Sequence, residues 1–284
     1  MDSAFQNYKK EHDYLICVDS DGCVMDTMTC KHMHCFGPGV VDEWGLQRWE
    51  EDVLHLWNNV CLFRLTRGIN RFKALETVLT EIHEKYTPIV GLSALSEWIA
   101  AAPALSNDML AARIAETEDE DGRICLQKAL LWSRAVNDAI EKLPLELRQP
   151  FDGAAEALKA AAQFADIAVV TSANRDAVQE EWSGYGLMKH AKLLLAQDSG
   201  SKSACIFKLL EYGYEKEKVL MIGDAVGDAR AAEKCGVYFY PILVNWEEES
   251  WDMLRQDFLD RFRLGTFGEC QKEKYQVFLE NLGG

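Results

Sequence analysis

Short apolar runs alternate with helical patterns along much of this chain, and this alternation limits the folds it can adopt. Apolar runs bounded by polar residues are typical of strands buried in a parallel sheet. The segments between them place apolar residues three to four positions apart, the spacing of an amphipathic helix. The pattern predicts an α/β fold with a doubly wound parallel sheet. The predicted strands are 14–18, 167–170, 193–196, 219–222 and a weaker 237–244, and the predicted helices are 153–164, 175–185, 203–212 and 228–235.

The alternation stops between residues 28 and 150, where only helical patterns are found. We therefore predict an inserted, mostly α-helical domain over 28–150, with residues 1–27 and 151–284 forming the sheet domain. Gly37-Pro38-Gly39 and the segment 144–150 are predicted hinges, because glycine and proline interrupt regular structure. The predicted helices of the insertion are 44–63, 70–86, 92–101, 107–116 and 123–143, and the predicted closing helices of the chain are 247–263 and 272–281.

Composition and charge exclude several classes of function. The formal net charge of -16 opposes binding to nucleic acid or to anionic membranes, since both require clustered Lys and Arg. Residues 1–13 are charged throughout and lack the apolar stretch of a signal peptide, and no later run has membrane-spanning length. The 9 Cys include no CxxC pair and are odd in number, which favours reduced thiols. We expect a cytoplasmic protein.

The first predicted strand runs into two carboxylates, Asp19 and Asp21, and then into Gly22. Ligands bind at the carboxyl ends of strands in open α/β sheets. A carboxylate there can attack phosphorus to form an acyl phosphate, and the second can protonate the leaving oxygen and later deprotonate water. The alternatives are an acidic surface turn and a calcium loop. Counting from Asp19, a calcium loop requires glycine at Val24 and glutamate at Cys30, so the catalytic interpretation is favoured.

The fourth predicted strand ends in a second acidic pair, Asp224 and Asp228. Asp19 and Asp224 would repel each other when brought together, so a hard divalent cation that both ligate would resolve the conflict. Magnesium suits such sparse oxygen sites. Asp228 supports this site, unless it is only a helix cap.

The remaining candidates are hydroxyl and ammonium groups at other strand ends. Thr171 and Ser172 follow the second strand and could donate hydrogen bonds to phosphate oxygens. Lys202, at a helix start after the third strand, is the candidate cation that would offset the charge on the phosphoryl group and the nucleophile, with Lys192 as the alternative.

Taken in order, Asp-x-Asp-Gly, a strand ending in Thr-Ser, a Lys and Gly-Asp-x-x-x-Asp resemble the motifs of the haloacid dehalogenase (HAD) superfamily over residues 14–27 and 151–245. The resemblance implies a Rossmann-like core with Asp19 as nucleophile. It implies Asp21 as general acid/base whose main-chain carbonyl also binds Mg²⁺, and Asp224 as a metal ligand supported by Asp228. Thr171 would bind the phosphate and Lys202 would be the charge clamp. The family's dehalogenases lack the second aspartate, so Asp21 indicates phosphate ester chemistry.

The place of the insertion resembles the class with a helical cap that closes over the active site. Within it, residues 65–75 are similar to the substrate loop of the β-phosphoglucomutase and phosphoglycolate phosphatase group, with Arg71 at that group's basic position. Such an arginine could bind a phosphate or a carboxylate through two hydrogen bonds. The alternative is an exposed charge at a helix start. Lys31 stands where the mutase has a hinge histidine, which disfavours mutase activity. His32 and His34 lack the partners that a metal pair needs.

The sequence therefore predicts a magnesium-dependent phosphatase that acts on a small phosphorylated metabolite. Two alternatives stay open, a phosphosugar mutase of the β-phosphoglucomutase type and a non-catalytic protein that binds a phosphorylated metabolite. No feature of the sequence fixes the substrate or the oligomeric state.

Overall fold

The computed structural model of the protein describes residues 5, 6 and 8–283, so the ends of the predicted outer ranges, at residues 1–4 and 284, lie outside the described residues. Contacts within the chain define two compact units. The sheet unit comprises Met1–Met28 and Leu145–Gly284, and the helical unit comprises Thr29–Pro144. No helix in the described part of the chain is both long and apolar enough to span a membrane.

Five parallel strands form one sheet, which confirms the predicted α/β class. They are β1 (Tyr14–Val18), β2 (Ala165–Val170), β3 (Leu193–Leu195), β4 (Val219–Gly223) and β5 (Tyr238–Pro241), and their order across the sheet is β3-β2-β1-β4-β5. The central strand β1 pairs with β2 on one side and with β4 on the other, so the carboxyl ends of these three strands lie side by side. The fifth strand was predicted too long, because the chain leaves the ladder after Pro241.

The helical unit is made of helices joined by short turns, and no strand occurs among its described residues. A π-helical turn, His32–Phe36, joins its first two helices, and a 3₁₀ turn, Gln47–Trp49, precedes the third. The helices are α1 (Met28–Lys31), α2 (Gly37–Trp44), α3 (Glu50–Leu62), α4 (Arg71–Lys85), α5 (Leu92–Ala101), α6 (Asn107–Glu116) and α7 (Glu120–Glu141).

In the sheet unit, helices connect the strands and close the chain. The predicted closing helix 247–263 is interrupted by a π-helical turn at Leu254–Phe258. Short 3₁₀ turns lie at Leu145–Leu147, Met188–His190, Gln197–Ser199 and Lys216–Lys218. The helices are α8 (Ala154–Ala161), α9 (Arg175–Gly184), α10 (Lys202–Leu210), α11 (Val226–Cys235), α12 (Glu247–Met253), α13 (Leu259–Leu264) and α14 (Gly268–Asn281).

The prediction of a hinge at Gly37-Pro38-Gly39 was wrong, because these residues form the first turn of α2. Proline is tolerated there, since the first helical N–H groups have no intrahelical partner. A Cβ at Gly37 would lie 2.9 Å from Leu54 Cδ2, and one at Gly39 would lie 3.1 Å from Trp132 Cδ1. The two glycines therefore allow α2 to pack closely on α3 and α7.

The predicted helix 44–63 was also wrong at its start. Gly45 has φ of +65° and ends α2 in the left-handed conformation, which glycine adopts without strain. The helix that follows begins only at Glu50. The apolar pattern of the sequence continues through Gly45 and Leu46, although Gly45 marks the end of a helix.

The second predicted hinge, residues 144–150, is held by main-chain hydrogen bonds at its carboxyl end. Asp26 N donates to Gln149 O at 2.8 Å, and Phe151 N donates to Val24 O at 2.9 Å. These bonds pair the segment after β1 with the segment before α8 inside the sheet unit. The predicted division into domains at 27/28 and 150/151 stays a prediction, while the compact units divide at 28/29 and 144/145.

The entrance to β1 is held by a buried carboxylate on the neighbouring strand. Asp166 of β2 accepts hydrogen bonds from the main-chain N–H of Glu11 and His12 and from the Tyr214 hydroxyl at 2.8, 3.0 and 2.6 Å. Burial alone would raise the pKa of Asp166, but these bonds hold it below its ordinary value. The start of the central strand is thus fixed, and its other end carries Asp19.

Candidate active site

Two carboxylates predicted from different motifs meet at the carboxyl edge of the sheet. Asp19 follows β1 and Asp224 follows β4, and the two strands are neighbours with Val18 opposite Ile222. Asp19 N donates to Ile222 O at 3.0 Å, which extends the pairing to Asp19 itself. Parallel strands end at the same edge of a sheet, so these side chains come together.

Asp228, in the first turn of α11, completes a cluster of three carboxylates. One ligand atom from each of Asp19, Asp224 and Asp228 lies within 4.8 Å of the others. All three residues are buried, with 6%, 1% and 0% of their surfaces exposed. Gly223 allows this approach, because a Cβ there would lie 2.4 Å from Asp228 Cβ.

Lys202 supplies the positive charge of the cluster. Its Nζ lies 2.8 Å from Asp19 Oδ2 and 2.6 Å from Asp228 Oδ1. Lys202 is the first residue of α10, whose preceding residue Ser201 accepts a hydrogen bond from Ala204 N and so caps the helix. Burial alone would lower the pKa of Lys202, but the two carboxylates raise it above its ordinary value, so the ammonium form is retained.

Asp228 is held on both of its oxygens. Oδ1 receives the Lys202 ammonium, and Oδ2 accepts from Ala225 N at 3.1 Å. Burial raises the pKa of Asp228, as do the charges of Asp19 and Asp224, while Lys202 opposes the shift. The same Asp228 side chain therefore both caps the start of α11 and pairs with Lys202.

Asp21 lies outside this carboxylate cluster. It is partly exposed, and its Oδ1 accepts a hydrogen bond from Thr27 Oγ1 at 2.7 Å. Gly22, with φ of +79°, turns the chain, and its N–H donates to Met25 O at 2.8 Å. Thr27 was not predicted as a site residue, because no sequence pattern indicates its hydrogen bond to Asp21. The metal contact implied for Asp21 runs through its main-chain carbonyl and stays a prediction.

The two hydroxyl residues occupy different environments at the end of β2. Thr171 is buried, its N–H donates to Leu195 O at 2.9 Å, and its Oγ1 accepts from Ala173 N at 3.2 Å. Ser172 is exposed. Because β2 neighbours β1, Thr171 shares the sheet edge that carries Asp19.

Arg71 lies in the helical unit, at the start of α4. Its Nη1 donates to Ser133 O, Ser133 Oγ and Asn137 Oδ1 at 3.1, 3.1 and 2.7 Å, and its Cζ lies 5.0 Å from the Phe36 ring. Burial lowers the pKa of Arg71 to about 10. No carboxylate among the described residues forms an ion pair with it, so its charge is balanced only by neutral oxygens and a ring. The interpretation of Arg71 as an exposed surface charge was therefore wrong.

The alternative cation and the histidine pair lie elsewhere. Lys192 Nζ pairs with Glu11 on the protein surface. His32 Nδ1 accepts from Trp57 Nε1 at 3.0 Å, and its ring stacks on Phe36. Within the described residues, the three aspartates are the only group of at least three acidic, His or Cys side chains close enough to hold a metal ion.

The donor set fits a hard divalent cation. Three buried carboxylates have ligand atoms within 4.8 Å of one another, and their mutual repulsion in a buried site favours a bound cation. Oδ1 of Asp19 is buried and, among the described residues, has no hydrogen-bond partner. A buried carboxylate oxygen normally has a partner, so this atom is suited to a metal or a ligand.

One protein family and several solved structures are similar to this chain. The family model described as haloacid dehalogenase-like hydrolase matches residues 69–242. That range includes Thr171, Lys202, Asp224 and Asp228, and it begins after Asp19. No curated protein matches the chain.

Solved structures similar to this chain include a haloacid dehalogenase-like hydrolase from Streptococcus pneumoniae, with 13% identity, a TM-score of 0.46, and coverage of 86% of this chain and 91% of that one. A subfamily IA hydrolase of the same superfamily from Geobacter sulfurreducens has 16% identity and a TM-score of 0.41, covering 82% and 88%. A hydrolase from Pseudomonas syringae has 16% identity and a TM-score of 0.43, covering 84% and 90%.

Proposed function

We propose that this chain, which belongs to the haloacid dehalogenase-like hydrolases, is a magnesium-dependent phosphatase that hydrolyses a small phosphorylated metabolite through an aspartyl-phosphate on Asp19. The observation that carries the proposal is the Asp19 carboxylate. It lies at the end of the central strand with one oxygen held by Lys202 and the other without a hydrogen-bond partner in the described chain. A carboxylate so placed is oriented and still available to react.

In the first step, a carboxylate oxygen of Asp19 attacks the phosphorus of the ester. The new O–P bond forms as the bond from phosphorus to the alcohol oxygen breaks. Lys202 offsets the charge on Asp19 and on the incoming phosphate, because its ammonium is already held 2.8 Å from the nucleophile.

Asp21 moves the protons of both steps. It gives a proton to the departing alcohol oxygen, and it then takes one from the water that attacks the phosphorus and releases Asp19 and inorganic phosphate. Thr27 Oγ1 donates to Asp21 Oδ1 and so restricts the rotation of this carboxyl group. Thr171 and Ser172, after the neighbouring strand, are the proposed hydrogen-bond donors to the phosphate oxygens.

Asp19, Asp224 and the main-chain carbonyl of Asp21 would hold Mg²⁺, and Asp228 supports the site by fixing Lys202. The bound cation supplies charge neutralisation of the phosphate oxygens. The two carboxylates and the carbonyl would all bind through oxygen, the ligand atom that magnesium prefers.

The test of this function is phosphate release from a panel of small phosphate esters, measured with Mg²⁺, with a chelator, and after Mg²⁺ is restored. We expect release with Mg²⁺ for at least one ester, its loss on chelation and its recovery afterwards. Release that is equally fast in the presence of the chelator would exclude the metal-dependent mechanism. Isomerised sugar phosphate in excess of free phosphate would favour the mutase, and ester binding without turnover would favour a binding protein.

Arg71 is the proposed binding residue for an anionic group of the substrate. We expect Arg71→Met to raise KM about tenfold or more with little change in kcat, because a charge-assisted bidentate contact contributes about 1.5–3 kcal/mol. Arg71→Lys should recover only part of the affinity, since a lysine cannot bond bidentately.

The matched control is Lys73→Met, which removes a cation from an exposed position on the same helix. Steady-state kinetics and thermal unfolding should be measured together, because Arg71 also ties α4 to Ser133 and Asn137 of α7. Equal KM values for the Arg71→Met and Lys73→Met variants would contradict the assignment.

A further inference from the structure

A buried hydrogen bond reaches the residue that separates the two proposed catalytic carboxylates. Trp182 of α9 donates from its indole Nε1 to Ser20 Oγ at 2.9 Å. Both residues have 0% of their surfaces exposed. The two lie 162 positions apart in the sequence, so no local pattern could have indicated the contact.

Ser20 lies between the two proposed catalytic carboxylates, in the chain that leaves β1. Asp19 follows β1 directly, and its N–H donates to Ile222 O at 3.0 Å, so the sheet still holds the chain where Ser20 begins. A rotation about the Ser20 backbone would turn both carboxylates.

The main chain that follows Ser20 is already fixed. Ser20 O accepts hydrogen bonds from the N–H groups of Cys23, Val24 and Met25 at 3.2, 3.0 and 2.9 Å. Trp251 Nε1 donates to Cys23 O at 3.0 Å. The carbonyl side of Ser20 is thus held by the turn, and the indole of Trp182 holds its side chain.

Trp182 is itself on a well-anchored helix. Asn174 caps the start of α9 by accepting from Asp176 N and Ala177 N. The residue before Trp182 is Glu181, a fully buried carboxylate whose Oε1 lies 3.4 Å from Arg148 Nη1. Because α9 is held in this way, the indole of Trp182 is a fixed donor, and Ser20 must stay in place to keep the hydrogen bond.

We propose that Trp182 is a positioning residue, which acts through its hydrogen bond to Ser20 to hold Asp19 and Asp21 in their reactive directions. The inference rests on the phosphatase function proposed above. Misplacement of reacting groups by a fraction of an ångström lowers the rate of the chemical step without changing the contacts that bind substrate. The bond should therefore affect kcat and leave KM nearly unchanged.

The experiment is a double-mutant cycle with Trp182→Phe, which keeps an aromatic ring but removes the indole N–H, and Ser20→Ala, which removes the acceptor. We expect each single variant to lower kcat on the order of tenfold with KM within about twofold of wild type. The double variant should be no slower than the slower single variant, because the bond can be lost only once. Tyr240→Phe, which removes another buried hydrogen bond of the sheet unit, from Tyr240 to Ser250 O, should leave kcat unchanged.

A second readout separates this inference from the proposed function. Binding of Mn²⁺ alone, followed by electron paramagnetic resonance, should be weakened several-fold by each single variant and no further by the double variant, because Asp19 is a proposed ligand. If the wild type hydrolyses no ester, the phosphatase proposal fails and the Mn²⁺ cycle still decides the positioning role. The inference would be overturned if the fold-losses of the two single variants multiplied in the double variant. It would also be overturned if kcat and Mn²⁺ affinity were unchanged in both single variants, or if only KM changed.

Discussion

Replacing Asp19 with Asn is expected to lower phosphate release on the order of 10⁴-fold or more, since loss of a nucleophile leaves only the residual effects of binding and charge. The amide is similar in size to the carboxylate but is a poor nucleophile, and it cannot offset the Lys202 ammonium at 2.8 Å. Phosphate release by wild type and variant under identical Mg²⁺ conditions measures the effect.

The control for this substitution is Asp13→Asn, the same change just before the other end of β1. Asp13 has 77% of its side chain exposed and, among the residues that the structure describes, its ion-pair partner is Lys10 at 3.5 Å. It should leave turnover unchanged. Residual activity of the Asp19→Asn variant within about tenfold of wild type would mean that another group attacks phosphorus.

The second large effect is expected from Lys202→Met, which removes the ammonium that pairs with both Asp19 and Asp228. Breaking a buried ion pair by removing one partner typically costs about 3–5 kcal/mol, because the remaining charge is uncompensated. We expect a loss of that order in the free energy of unfolding, together with a fall in kcat of about 10²-fold or more. Chemical denaturation and steady-state kinetics measure the two effects.

Lys208→Met is the matched control, since it makes the same change on the same helix. Lys208 has 42% of its side chain exposed and pairs with Glu211, an arrangement that contributes little to stability. The account requires Lys202→Met to be much the more damaging of the two. Near-equal unfolding free energies and kcat values would show that Lys202 is only a solvated surface charge.

The sequence was sufficient to predict what depends on local patterns. Buried strands such as Val219–Gly223 read as apolar runs, and helices such as Leu92–Ala101 read as periodic segments, because burial imposes these patterns directly. The meeting of Asp19 with Asp224 also followed from topology, since carboxyl ends of parallel strands share one edge.

What could not be predicted depends on packing between distant segments. Gly37 and Gly39 read as a hinge, but close contacts with Leu54 and Trp132 require glycine inside a helix. The neutral partners of Arg71 lie on α7, more than 60 residues away. The hydrogen bond from Trp182 to Ser20 likewise cannot be inferred from the sequence around either residue.

The most direct test of the central claim is to look for the covalent intermediate. The protein should be mixed with the most rapidly hydrolysed ester of the panel in the presence of Mg²⁺ and quenched in acid, and its peptides analysed by mass spectrometry. The account predicts the added mass of one phosphoryl group on the peptide that contains Asp19, assigned to that residue and absent from the Asp19→Asn variant. Phosphate release without this adduct, or with the adduct on another residue, would contradict it.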